Sequence, residues 1–189
     1  MFSVYFRSVS RGCRAVSGLV LLCWLMLPSL AAAVDVPDRL KAAYLYNFAK
    51  LTYWPGPDTS DEGPASQLII CSLASEELTQ ALKEVADKPV QGRTVQVVGL
   101  GLKSRADFCQ MVFIDAHHAR SWFRYAHQQR PGQLLVGESE DFIEQGGIVR
   151  FYLERDKLRF EISLENASRA GVQISSRLLK LARVRGGKP

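Results

Sequence analysis

Uninterrupted apolar runs recur along the chain and alternate with stretches of helical period. The run QLIICSL at Gln67–Leu73, residues 94–98 and Met111–Ile114 read as strands, because an apolar residue at nearly every position suits a strand covered on both sides. Leu40, Ala43, Tyr44, Asn47, Phe48 and Leu51 mark one face of a first helix, which Trp54-Pro55 stops. Ser75 is placed to cap a second helix running to Ala86, with Glu76 and Glu77 in its first turn. A third helix is expected over residues 116–130, a strand over 133–136, and a short helix over 141–145 ended by Gly146-Gly147. Residues 148–153 and Lys157–Ser163 read as two strands joined by Glu154-Arg155-Asp156, a hairpin. Residues 166–170 and 174–183 are expected to close the chain as helices.

Strands separated by crossover helices predict an α/β fold: a mostly parallel central sheet, helices on both faces, and a late antiparallel hairpin at one edge. No internal repeat interrupts this pattern, and only residues 56–66 and 185–189 have the composition of flexible segments.

The N-terminus changes the charge balance. Residues 1–33 carry Arg7, Arg11 and Arg14 and no acid, followed by an apolar run over residues 16–27, Pro28, and Ala31-Ala32-Ala33. A basic region, a short apolar region and an A-x-A end are what a signal peptidase reads, so cleavage is expected after Ala33. An uncleaved anchor is the alternative, weakened by Ser17, Gly18, Pro28 and Ser29. Removing three basic residues turns the net charge of +5 into +5 − 3 = +2, so the pI near 9.1 gives little support to a nucleic-acid partner. The remaining 189 − 33 = 156 residues, 34–189, are enough for one domain with its own core.

Chemistry is sparse. The chain has no G-x-S-x-G, HExxH, P-loop or CxxC, and Gly99-Leu100-Gly101 lacks the third glycine and downstream acid of a dinucleotide site, so it reads as a turn. His117-His118 opens the third helix with Asp115 just before it, but adjacent helical residues diverge by about 100°, which suits a helix start better than a metal site. The sequence therefore predicts no enzyme, no cofactor and no metal. Cys71 and Cys109 are the two cysteines outside the leader. An exported chain meets an oxidising compartment, where such a pair tends to close, and their strands are expected to be neighbours.

Five stretches in order carry a resemblance. They are KAAYLYNFAKLTYWP (residues 41–55), KPVQGRTV (88–95), FCQMVFI (108–114), GGIVRF (146–151) and RFEISLENASRAGVQISSRLLKLA (159–182). Together they resemble the YfiR-like family of periplasmic regulators. The resemblance implies a periplasmic, non-enzymatic protein that holds an inner-membrane diguanylate cyclase inactive through the cyclase's periplasmic sensor domain. Cyclic di-GMP and biofilm formation would fall as a result. Implied partners are that cyclase or a sensor kinase, and for some members an outer-membrane lipoprotein; a homodimer also fits. Cys71 and Cys109 match a cysteine pair of the family, whereas a second pair known in the family has no counterpart here, so redox control through it is not carried over. A small-molecule sensor for an aromatic or nucleotide-like ligand is the alternative from another class.

The expected partner surface is the segment 164–181. Leu164, Val172, Ile174 and Leu178 alternate with Arg169, Arg177 and Lys180, and an apolar patch rimmed by charge is a common form of docking site. Leu164, Arg169, Ile174, Arg177 and Leu178 are the residues expected to contact the partner. In the competing reading Ile174 and Leu178 pack inward and only the charges meet water.

Overall fold

Strands that are apolar at every position occur where a sheet is covered twice, and strands that alternate occur where it is covered once. Both kinds are present in one sheet. The computed structural model describes residues 36–53, 67–86, 89–125 and 130–186, all within the unit Asp35–Pro189. The expected leader and the Trp54-Pro55 stop lie outside the described residues.

The elements are α1 (Asp38–Lys50), β1 (Thr52–Tyr53), β2 (Gln67–Leu73), α2 (Glu76–Val85), β3 (Thr94–Gly99), β4 (Met111–Ile114) and α3 (Ala116–Tyr125). They continue as β5 (Leu134–Gly137), β6 (Val149–Glu154), β7 (Lys157–Ser163), α4 (Leu164–Arg169), β8 (Gln173–Ile174), α5 (Ser176–Leu179) and β9 (Arg183–Arg185). The main sheet has the order β3-β2-β4-β5-β6-β7-β9, and β1 pairs with β8 in a separate two-stranded sheet. All pairs of the main sheet are parallel except β6–β7. This is the expected α/β class.

Alternation along the strands divides the core. Leu68 and Ile70, Met111 and Phe113, Leu134 and Val136, Val149 and Phe151, Phe160 and Ile162 point to one face, where α1 contributes Ala42, Leu45 and Phe48 and α2 contributes Leu78 and Leu82. Phe48 lies 4.9 Å from Phe160 and 5.4 Å from Phe151, centroid to centroid, so three aromatic rings fix α1 on the sheet. Cys71, Leu73, Val112, Ile114 and Leu135 point to the other face, where α3 supplies Ala119 and Trp122. Phe142 fills the end of that layer. Its ring lies over Gly137 and Gly147, either of which would drive a Cβ into it.

Several sequence expectations need correction. On α1 the buried residues are Ala42, Leu45, Phe48 and Ala49, while Leu40 and Asn47 are exposed, so the inward face is rotated from the one expected. β3 is an edge strand with exposed and half-buried positions rather than a doubly covered one. The hairpin is one strand in from the edge, because β9 adds in parallel beyond β7. Residues 141–146 form turns, closed by Gly147 N donating to Phe142 O at 2.8 Å. The single closing helix expected over 174–183 is divided into β8, the four-residue α5 and β9. Ser75 does cap α2, accepting from Leu78 N at 3.2 Å. The hairpin turns at Arg155-Asp156, both at positive φ (50° and 60°), the conformation of a two-residue type I′ loop.

Candidate functional site

The C-terminal segment is held in place by backbone pairing. Ser163 caps α4 by accepting from Asn166 N at 3.2 Å. Asn166 is buried and donates through Nδ2 to Ile143 O (2.8 Å) and Gly147 O (2.6 Å), anchoring α4 to the turns before β6. Its Oδ1 accepts from Arg169 at 2.6 Å. Gly171, at φ 68°, then reverses the chain, and β8 pairs antiparallel with β1, Thr52 opposite Ile174 and Tyr53 opposite Gln173. Ser175 N donates to Leu51 O (3.0 Å) and its hydroxyl caps α5. The other side of β1 is tied by Gln91, whose amide donates to Thr52 O at 2.8 Å and Lys50 O at 3.2 Å. Gln91 (φ 53°) and Gly92 (φ 77°) form the tight turn between Val90 and Arg93 that aims this amide.

The expected contact residues separate into classes here. Leu178 is 2% exposed and belongs to the core together with Val172, which removes it from the contact surface: α5 is one turn long, and Leu178 is its inward residue. Leu164 is half-buried, and Ile174 is half-buried and packs against the same core. Arg169 and Arg177 are exposed, Arg169 being braced by Glu165 as well as Asn166. Lys180 and Leu181 continue the exposed strip, with Leu181 at 69% exposure. Tyr53 was missed by sequence reasoning. It is 54% exposed on β1, paired with Gln173, and its signal was the KLTYWP stretch, which read as a helix end.

Cys71 on β2 and Cys109 just before β4 form a disulfide with a Cα separation of 5.9 Å. Both are buried, and the segment carrying Cys109 is fixed by Gln133, which donates to Ala106 O (2.7 Å) and Cys109 O (3.0 Å). Asp115 accepts from His118 N at 2.8 Å and contacts His118 Nδ1 at 2.7 Å, so this pair caps α3; His127 lies outside the described residues. Gly101 and Ser104 close a turn on each other. A shallow groove between the start of α1 and one face of α2 is lined by Asp38, Arg39, Glu76, Glu77 and Glu84, charged groups rather than ring faces. Among the described residues no group of three or more His, Cys, Asp or Glu could hold a metal ion, and no helix is long and apolar enough to cross a membrane.

Comparison with known proteins adds one broad match. A family model described as YfiR/HmsC-like matches residues 38–183. No curated protein matches the chain. Among solved structures, a conserved domain protein from Vibrio cholerae O1 biovar El Tor is similar at 11% identity with a TM-score of 0.50. The match covers 78% of this chain and 60% of that one, and at this identity it shows a shared fold alone. An ABC domain from Streptococcus pneumoniae, in complex with L-Trp, matches with the same identity and coverage and a TM-score of 0.49. The chain thus spans 60% of the length of the solved structures it matches.

Proposed function

The chain belongs to the YfiR/HmsC-like family, and from that premise we propose that it is a periplasmic regulator that binds the periplasmic domain of an inner-membrane diguanylate cyclase and holds the enzyme inactive. The observation that carries this reading is the family match over residues 38–183, which takes in every strand from β1 to β8 and the segment Leu164–Leu181 together. The geometry supports it in a second way. The segment from Leu164 to Leu181 is fixed to the core by Asn166, Val172 and Leu178, and it presents Arg169, Arg177 and Leu181 outward on that support. A pre-ordered strip loses little conformational entropy on binding. Its contact residues are proposed to be Leu164, Arg169, Ile174 and Arg177, with Tyr53 beside them. Regulation here is by occupancy: the chain binds the sensor domain, and the cytoplasmic cyclase loses activity through that domain.

The test is a pull-down from detergent-solubilised inner membranes using the chain from Val34 onward as bait, with the bound proteins identified. A membrane protein joining a periplasmic domain to a cytoplasmic diguanylate cyclase is the expected product. Recovery of transport components alone would move the function to ligand sensing.

A further inference from the structure

The two halves of the α3 side of the sheet differ. Over β2, β4 and β5 it carries the apolar layer under α3. Over β6, β7 and β9 it carries charge. Register puts Arg150 beside Glu161, Tyr152 beside Arg159, and Glu154 beside Lys157, and then Glu161 beside Arg183 and Ser163 beside Arg185. None of these residues belongs to either apolar cluster, and Arg159, Arg183, Arg185 and Glu154 are about half exposed. VRFYLE, and KLRFEIS as far as Phe160, alternate as strands covered on one side only do, whereas Glu161 and Ser163 at the end of β7 are buried beneath their neighbours.

This open face is ordered by its own ion pairs. Glu161, whose side chain is 4% exposed, accepts from Arg150 Nε at 2.7 Å and lies 3.4 Å from Arg185, which also reaches Glu144 at 2.8 Å. Glu154 pairs with Arg183 at 2.9 Å. The guanidinium of Arg183 sits 4.7 Å from the centre of the Tyr152 ring, and that of Arg150 lies 5.5 Å from it. The result is a rigid platform with an arginine-flanked tyrosine at its middle, the residue types that dominate protein interfaces.

We propose that the open face of β6, β7 and β9 is a second docking surface, and that its partner is a folded protein surface rich in carboxylates. Charge selects this partner. Arg150, Lys157, Arg159, Arg183 and Arg185 oppose Glu144, Glu154 and Glu161, five cations against three anions. A second copy of the same face would add its excess positive charge to this one. A uniformly anionic bilayer would meet the three interleaved carboxylates. A protein surface can match both signs position by position and supply the missing negative charge. The proposal concerns a different face from the segment 164–181 and stands or falls independently of the cyclase reading.

The test uses the isotope-labelled chain from Val34 onward, titrated with a synthetic peptide in which glutamates outnumber interspersed lysines, and followed by amide chemical shifts. Inorganic phosphate and vesicles of phosphatidylglycerol and phosphatidylcholine in equal parts are titrated in parallel. Saturable shifts from the peptide, confined to β6, β7 and β9, are expected. They should weaken about tenfold or more in Lys157→Gln/Arg159→Gln, whose melting temperature should stay near that of the parent. Arg183→Gln, which removes the guanidinium over Tyr152, provides a second variant with the same expected loss. Absence of saturable shifts overturns the proposal. So does an equal response to phosphate, which would mark general anion attraction, vesicle binding without peptide binding, or dimerisation through this face.

Discussion

Phe142 fits only because two residues around it have no side chain. A Cβ on Gly147 would lie 2.1 Å from a carbon of the ring and 2.7 Å from the Phe142 carbonyl oxygen, so neither ring nor backbone could yield cheaply. Gly147→Ala should therefore destabilise the fold by about 3 kcal/mol in chemical denaturation, the upper range for overpacking a tight site. In the sequence Gly146-Gly147 read as a helix stop; the actual demand is close packing against a ring five positions away, which no local pattern reveals. The disulfide was legible because, once the leader expected from the sequence is set aside with Cys13 and Cys23, a single cysteine pair is left. It closes a loop of sequence separation 38, for which chain entropy predicts about 4 kcal/mol of stabilisation. Because the two sulfurs are bonded to each other, the chain from Val34 onward should show no titratable thiol even when unfolded without reductant, and Cys71→Ala/Cys109→Ala should lower the melting temperature. Two free thiols in native protein would contradict the bridge. Glu144 gives a pH test. Hydrogen bonding from its own backbone, then from Arg185, holds its carboxyl below the ordinary value of 4.5. A depressed carboxyl pKa adds stability that is present above the ordinary value and lost as pH falls through the folded one. The difference in melting temperature between the parent and Glu144→Gln should thus be largest near neutral pH and shrink below pH 4.5.

The long elements could be read from the chain and the short ones could not. β2 and β4 were visible because burial on both faces demands a nearly continuous apolar run, which only Ser72 interrupts within the buried part of β2. α2 was visible because Ser75, Glu76 and Glu77 mark its start. The tail was misread for a physical reason: arginine and lysine recur three apart at 177, 180 and 183, which imitates a helical stripe. The backbone there is set by distant pairing, β8 on β1 and β9 on β7, over segments too short for periodicity to register. The same pairing decides what substitutions do. Leu178 is core, so Leu178→Asp should cost about 4 kcal/mol and reduce the yield of folded protein. Arg177 is exposed, so Arg177→Glu should leave the melting temperature unchanged while weakening partner binding and its salt dependence. Equal destabilisation by both would show that Arg177 is structural.

On the scale of the whole molecule, the fold is a rigid carrier. One sheet, covered on both sides over part of its width, holds a fixed C-terminal strip at one end and leaves a charged face open at the other strands. The class of this architecture was legible in the alternation of strands and helices, and the resemblance over five ordered segments pointed to the family. The partner was not, because contact surfaces are defined by what stays exposed after packing, and exposure follows from strand order. The central claim is inhibition by binding outside the membrane. It is tested most directly in spheroplasts that express the cyclase recovered by pull-down, with cyclic di-GMP measured before and after adding the purified chain. The account predicts that cyclic di-GMP falls on addition of the parent chain and stays high with Arg177→Glu; an unchanged level at saturating parent chain would contradict it.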